Sequence, residues 1–423
     1  MDSKIDHDIP VGPIERCQVC GSDDLELIID LGHQPLCDSL LTFEQLKEPE
    51  QTYPLRFLRC LKCSLGQIDY AVDGSTVYHR EYPYRSGVTK ELVEYQRESS
   101  QTTVSEFAIE PNSLVVDIGS NDGTLLTGFK AQGMRTLGVE PTNIAKIAND
   151  AGIETIQKFF VEELAREIVQ DHGQASVVSS TNMFAHMTAL GEVTRGIRTL
   201  LKDGGIFVCE IHYLLEIIRG NQYDTIYHEH LRSYSLKSMI VLLEMYGFTV
   251  VDARQVNRYG GSLRVYAAKG TGHPVGDSVG VLLALEEEFG LYRRDAYDRF
   301  RENAKIARGS LVSMAIEAKI AGASFVGNSC PGRSSTLLNY CGIDRELMPY
   351  IAEQPASLKL GLHLPGKHIP VVDNEILFRE QPDYVILLAW HYWEPISKQL
   401  RERGLQSKLV MPLPEVRVLD IES

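Results

Sequence analysis

The sequence predicts an α/β protein in three parts: a small zinc-binding module, a central doubly wound domain of Rossmann-like topology, and a C-terminal Rossmann-like α/β domain. Three observations carry that expectation. Two C-x-x-C pairs stand near the N-terminus. Short β-type apolar runs then alternate with longer helical ones, the pattern of a parallel, doubly wound sheet. The alternation resumes after about residue 309 with a second set of strands and helices.

At 423 residues the chain exceeds one ordinary core, and its divisions are expected at 1–75, 76–305 and 306–423. With 43% hydrophobic and 23% charged residues, the composition is that of a soluble globular protein. A net charge of −15 argues against nucleic acid, whose phosphates require a basic face. Residues 1–16 are polar and acidic, and no later run approaches the roughly 18 apolar residues of a membrane span. A cytoplasmic monomer with no membrane or nucleic-acid partner is expected.

Cys17-Gln18-Val19-Cys20 and Cys60-Leu61-Lys62-Cys63 open the first part, each pair followed by Gly or Ser able to turn the chain around an ion. Four thiolates are the usual set for a tetrahedral Zn2+, and a closed site of this kind is structural rather than catalytic. Two buried pairs or a redox couple would not explain why both share the x-x spacing. The other cysteines, Cys37, Cys209, Cys330 and Cys341, are scattered and read as buried small hydrophobes. Between the pairs, the alternation in Leu25-Glu26-Leu27-Ile28-Ile29 predicts small hairpins.

In the second part, strands are expected at Leu114-Val115-Val116, Thr136-Leu137-Gly138-Val139, Ala175-Ser176-Val177-Val178 and Gly205-Ile206-Phe207-Val208, with one long helix over 282–308 joining the domains. The first strand runs into Asp117-Ile118-Gly119-Ser120-Asn121-Asp122-Gly123, a Gly-rich turn before a helix, where Gly119 and Gly123 let the backbone approach a ligand. The next strand ends at Glu140-Pro141, placing a carboxylate where it can accept both hydroxyls of a ribose. A nicotinamide cofactor also fits that pair. The turn lacks the G-x-G-x-x-G order, however, and two carboxylates and an Asn around it would repel a pyrophosphate while suiting a cationic sulfonium. S-adenosylmethionine is therefore the expected cofactor, held by Asp117, Gly119, Ser120, Asn121, Gly123, Glu140 and Pro141. Asn182, which opens the Asn182–His186 segment after a later strand, joins them.

Residues 223–234 pack two His, a Glu, an Arg and several Tyr into twelve positions. The H-x-H spacing can bind metal but is not the H-E-x-x-H of a helical zinc site. Either this is a solvated loop, or it does acid–base work in which a His takes a proton from a carbon beside a ketone and Tyr hydroxyls steady the enolate. In the last part, Ser324-Phe325-Val326-Gly327-Asn328 predicts a strand, residues 335–340 a helix, and Val371-Val372 and Tyr384-Val385-Ile386-Leu387-Leu388 further strands.

The C-x-x-C pairs, the Asp117–Gly123 turn, Phe184-Ala185-His186, Tyr227-His228-Glu229-His230, Gly260-Gly261-Ser262-Leu263-Arg264 and Leu337-Leu338-Asn339-Tyr340 together resemble the nucleotide-sugar C-methyltransferases. The likeness covers nearly the whole chain in order. It implies a C-terminal domain that helps bind the nucleotide sugar, and methylation at C3 of a dTDP-linked 4-keto-2,3,6-trideoxy or related 4-keto-6-deoxy sugar; the expected partner is a dTDP- or GDP-linked sugar. It implies His230 as the base that takes the C3 proton, with Tyr227 and Glu229 beside it, and His186 and Tyr82 lining the sugar pocket. Tyr84, two residues on, is a substrate-binding candidate.

Two departures fall in the C-terminal half. Ser329-Cys330-Pro331-Gly332-Arg333 replaces a G-A-P-A-K/R-type turn, and Trp390-His391 replaces a W-N pair, whereas Pro365-Gly366-Lys367-His368-Ile369-Pro370 matches. Arg333, Asn339, Lys367 and His368 are substrate-binding candidates, against the alternative of ordinary surface turns. An O- or N-methyltransferase on a similar sugar, a sugar epimerase and a non-catalytic zinc scaffold are the rival functions.

Overall fold

The computed structural model describes residues 7–73, 86–88, 90–270 and 273–419. In the first part, strands Leu25–Gln34, Tyr53–Cys60 and Gly66–Ile68 form an antiparallel sheet. Its fourth strand, Arg232–Ser233, comes from the far end of the 223–234 segment and pairs Arg232 with Gln67 and Ser233 with Gly66. A foreign strand thus ties the zinc module to the central domain.

The central sheet has seven strands in the order Phe248–Val256, Ser262–Lys269, Leu201–His212, Ala175–Thr181, Leu114–Ile118, Arg135–Val139, Thr155–Ile156. Ser262–Lys269 runs antiparallel to both neighbours, and the remaining pairings are parallel. Leu114–Ile118 is buried at every residue, which is why it reads as an unbroken apolar run around a single Asp. The C-terminal sheet has six strands, Val371–Asp373, Ile351–Glu353, Phe325–Asn328, Tyr384–Leu387, Lys408–Met411 and Arg417–Leu419, parallel except for the last.

The single helix expected over 282–308 is two helices, Asp277–Phe289 and Arg294–Ile320. Gly290, with φ 89°, ends the first in the left-handed conformation that other residues resist. The second helix runs through 306, so the central and C-terminal parts share it. One apolar core runs through all three parts, from Ile28 and Phe57 through Phe184 and Leu214 to Val385 and Leu409. Among the described residues, no helix is long and apolar enough to cross a membrane.

Candidate active site and zinc cluster

The four knuckle cysteines converge. Cys17 Sγ lies 3.5 Å from Cys63 Sγ and Cys20 Sγ 3.4 Å from Cys60 Sγ, and all four sulfurs fall within 4.8 Å of one another. Zinc–sulfur bonds of about 2.3 Å give a tetrahedron whose edges are about 3.8 Å, so the sulfurs fit the ion with little adjustment. Each knuckle closes on a left-handed residue, Gly21 at φ 68° and Ser64 at φ 62°, whose amides bond back to the Cys17 and Cys60 carbonyls. The site is closed by its four sulfurs, which leaves the ion a structural task.

The Gly-rich turn sits at the C-terminal end of Leu114–Ile118, where open α/β sheets bind ligands. Gly119, Asn121 and Gly123 all adopt positive φ. A Cβ on Gly119 would stand 1.6 Å from the Met183 sulfur, so only glycine fits. The Glu140 carboxylate is set before any ligand arrives: Oε2 accepts from the Asn121 amide at 3.1 Å and Oε1 from the Thr142 amide at 2.9 Å. Each oxygen keeps a lone pair for a ribose hydroxyl. Asn182, also at positive φ, carries a buried Oδ1 with no hydrogen-bond partner among the described residues, an acceptor awaiting a donor.

Two expected cofactor residues are engaged within the protein. Asn121 Oδ1 accepts from the Ser86 amide and Asp122 Oδ2 from the Gly87 amide, at 2.9 and 2.8 Å, so the turn anchors the 86–88 segment. Asp117 accepts from Ser179 Oγ at 2.7 Å, and burial, aided by the Glu140 charge, pushes its carboxyl up to about 7. The Asp122 carboxylate is thus engaged by the Gly87 amide and the Thr124 hydroxyl, and Asp117 by the Ser179 hydroxyl, while Glu140 stands at the rim.

The solvated-loop reading of 223–234 does not hold. Tyr223, Asp224, Thr225, Glu229, His230 and Arg232 are all buried. The H-x-H pair is split between two tasks. His228 turns to the zinc module, with Nε2 at 3.2 Å from the Pro54 carbonyl and its ring edge-on to Tyr53. His230 turns to the central sheet, where Nδ1 lies 2.7 Å from the Thr225 carbonyl. A carbonyl can only accept, so Nδ1 carries the proton and Nε2 offers a lone pair. Around this ring stand His186 at 4.8 Å and His212 at 4.7 Å, both edge-on, and Tyr227 at 4.0 Å. Burial, reinforced by the neighbouring His212, holds His230 well below the usual histidine range, and burial does the same to His186. The rings are neutral at physiological pH.

Arg333 is not on a surface turn. It stands in the first turn of helix Gly332–Cys341, buried, and forks onto Asp224 with Nε at 2.9 Å from Oδ2 and an NH2 nitrogen at 2.7 Å from Oδ1. Trp390 Nε1 donates to the same carboxylate at 2.8 Å, and the other Arg333 nitrogen donates to His391 Nδ1 at 3.1 Å. This network joins the C-terminal domain to the 223–234 segment. Asn339 donates to the Pro365 carbonyl at 3.0 Å, and His368 meets Glu50 at 3.1 Å. Lys367 and His368 line a separate open cleft of about 410 Å³ with Arg345, and are not brought to His230. Tyr82 and Tyr84 lie outside the described residues.

Several groups escaped the sequence reading. His212 ends strand Leu201–His212, and Tyr259 lies 6.0 Å from its ring. Glu210, two residues earlier, pairs with Arg264 at 2.9 Å in a buried bridge that Tyr95 caps with its hydroxyl. The end of a parallel strand was the available signal for Glu210 and His212. None existed for Tyr95.

Residues 92–253 match the family model described as "Methyltransferase domain", 17–78 the "Putative zinc binding domain", and 257–414 the "C-methyltransferase C-terminal domain". Fold and site define an S-adenosylmethionine-dependent methyltransferase carrying a zinc-binding module. Over 418 residues, 98% of this chain and 99% of the relative, the sequence is 33% identical to C-methyltransferase NovU of Streptomyces niveus, and the chain belongs to this C-methyltransferase family. Among solved structures, the PH0226 protein of Pyrococcus horikoshii OT3 is 15% identical, with TM-score 0.36, over 45% of this chain and 98% of that one. The 1,6-didemethyltoxoflavin-N1-methyltransferase of Burkholderia thailandensis is 20% identical, with TM-score 0.33, over 42% of this chain and 78% of that one.

Proposed function

We propose that the protein methylates C3 of a nucleotide-linked 4-keto-6-deoxysugar, with His230 removing the C3 proton. The observation that carries this reading is the His230 ring itself, which is neutral, has its tautomer fixed by the Thr225 carbonyl, and stands among His186, His212 and Tyr227. Nε2 is the base. A proton on carbon beside a ketone is acidic enough for imidazole only when the enolate oxygen is met by donors, and the surrounding Tyr and His side chains supply them. The imidazolium formed at Nε2 is then paired with the enolate charge, which offsets the cost of a buried cation. When bound, S-adenosylmethionine supplies the electrophilic methyl group. Glu140 would hold its ribose, Gly119 and Ser120 its close-lying backbone edge, and Asn182 a polar hydrogen. The remaining role of residues 306–423, in this reading, is to bind the nucleotide, dTDP or GDP, with Arg333 bracing the join.

The experiment is mass spectrometry of the purified protein incubated with methyl-labelled S-adenosylmethionine and a panel of dTDP- and GDP-linked 4-keto sugars. One added methyl group is expected at carbon. His230→Asn should lower the rate by about 10²- to 10⁴-fold while leaving cofactor binding intact. Methylation at oxygen or nitrogen, or solvent deuterium entering the sugar without methyl transfer, would overturn the reading.

A further inference from the structure

Glu229 belongs to a second buried cluster where the three parts of the chain meet. Cys37 and Asp38 reach it from the segment after strand Leu25–Gln34, and the reactive atoms of Cys37, Asp38 and Glu229 lie within 4.8 Å of one another. Cys37 Sγ donates to Glu229 Oε1 at 3.2 Å. From the C-terminal domain, Lys359 Nζ donates to Asp38 Oδ1 at 2.8 Å and to the Cys330 carbonyl at 2.9 Å. There is no room for slack: a Cβ on Gly332 would stand 3.0 Å from Asp38 Oδ2 and 3.2 Å from Cys37 Sγ.

The charges here do not balance unless one carboxyl keeps its proton. Two carboxyls face a single ammonium, and the ammonium is committed to Asp38. Glu229, 7% exposed, has the Cys37 thiol and the Tyr227 phenol beside it, and among the described residues no cation is hydrogen-bonded to it. A buried carboxylate beside a like charge and without its own cation costs several kcal/mol, on the order of what protonation relieves. Among the described residues Glu229 Oε2 has no hydrogen-bond partner, so a proton there can be given to a ligand.

We propose that Asp38, held in place by Lys359, is a positioning residue whose charge keeps the Glu229 carboxyl protonated, as a hydrogen-bond donor to an oxygen of the bound substrate. The proposal rests on the sugar-methylation reading for the identity of that substrate. The groups facing Glu229 are Cys37, Asp38, Lys359 and Tyr227. Burial first, then the Asp38 charge, pushes the carboxyl up to about 8, and burial first, then the Glu229 and Asp38 carboxyls, pushes the Cys37 thiol up, so the thiol stays neutral. Cys37 is therefore a neutral donor and not a competing anion.

The test uses the zinc-loaded full chain carrying ¹³C-labelled glutamate. Infrared spectra taken across pH should show a protonated glutamate carbonyl band that persists to about pH 8 and is missing in Glu229→Gln. In Asp38→Asn, which removes the like charge, the band should titrate about one pH unit lower, and in Lys359→Met, which removes the cation, higher. Lys359→Arg should restore the wild-type position. The alkaline limb of kcat/KM for methyl transfer should move with the band in each variant. A wild-type band absent at pH 7, or one that Asp38→Asn leaves in place, overturns the proposal. A band that moves as expected in a protein that methylates no 4-keto sugar would leave the protonation standing and overturn the substrate reading instead.

Discussion

The four-thiolate cluster draws its ligands from two tetrapeptides of one small sheet, and their sulfurs converge on one point. The histidine site draws His186 and His212 from the ends of two central strands, Tyr227 and His230 from the buried segment beyond them, and Arg333 and His391 from the C-terminal domain. Both are tightly packed groups of ionisable side chains. The first encloses an ion and needs only local spacing, because two bends of the chain complete a tetrahedron. The second, on the proposed reading, has to admit a substrate and then exclude water, which requires walls on independent elements. A closed site can be local, whereas a site with a door has to be assembled.

The sharpest test of that contrast is to open the closed cluster. Cys60→Ser, or zinc withdrawal by a strong chelator, should remove the ion and unfold the module, since structural zinc is worth about 10–16 kcal/mol to such a fold. The effect should not stay local. Because Arg232–Ser233 pairs with Gly66 and Gln67, the His230 segment loses its edge strand and methyl transfer should fall to background. Metal analysis, thermal unfolding and activity on one preparation check this; an active, folded, zinc-free protein would show that the two sites are independent.

A smaller effect separates the cofactor rim from both. Glu140→Ala removes a carboxylate already aimed by two amides, and loss of two charge-assisted hydrogen bonds should weaken S-adenosylmethionine binding by roughly 10- to 100-fold. Zinc content and melting temperature should hardly change. Calorimetric titration measures it, and an unaltered affinity would remove Glu140 from the ribose.

The smallest expected change is at the cysteines outside the knuckles. Cys209 and Cys341 are buried, and burial pushes their thiols up, Cys341 to about 12, so they are inert packing groups. Cys209→Ala should cost about 1 kcal/mol of stability, with full zinc occupancy and unchanged transfer rate. Loss of zinc in this variant would mean that the thiols of the chain are not divided as the geometry divides them.

The split between His228 and His230 shows where residue pattern stops being informative. They point to opposite sides because residues 227–230 form a turn, closed by the His230 amide on the Tyr227 carbonyl, and the pattern H-x-H is the same whether the sides hold a metal, a module or a substrate. Burial of the whole segment decides the matter, and burial comes from the zinc module on one side and helix Gly332–Cys341 on the other. Arg333 is similar. In the sequence it follows Pro331-Gly332, a turn signal, but its fork onto Asp224 needs a partner 109 positions away. The long helix expected over 282–308 is broken for a local reason: Gly290 takes the left-handed conformation that stops a helix.

By itself, then, the sequence determined whatever depends on a few adjacent residues. Both zinc knuckles, the Gly-rich turn with its Glu140 partner and the alternation of strands and helices are constraints of backbone geometry and chain spacing, and they act within a few residues or one strand–helix unit. Only the tertiary structure decided which of the two histidines faces the site, which carboxyl is left without a cation, and that Arg333 braces a domain junction. Those outcomes depend on desolvation and on charges that meet across three parts of the chain, and the free energy of a buried charge is set by its neighbours in space and not by its neighbours in sequence.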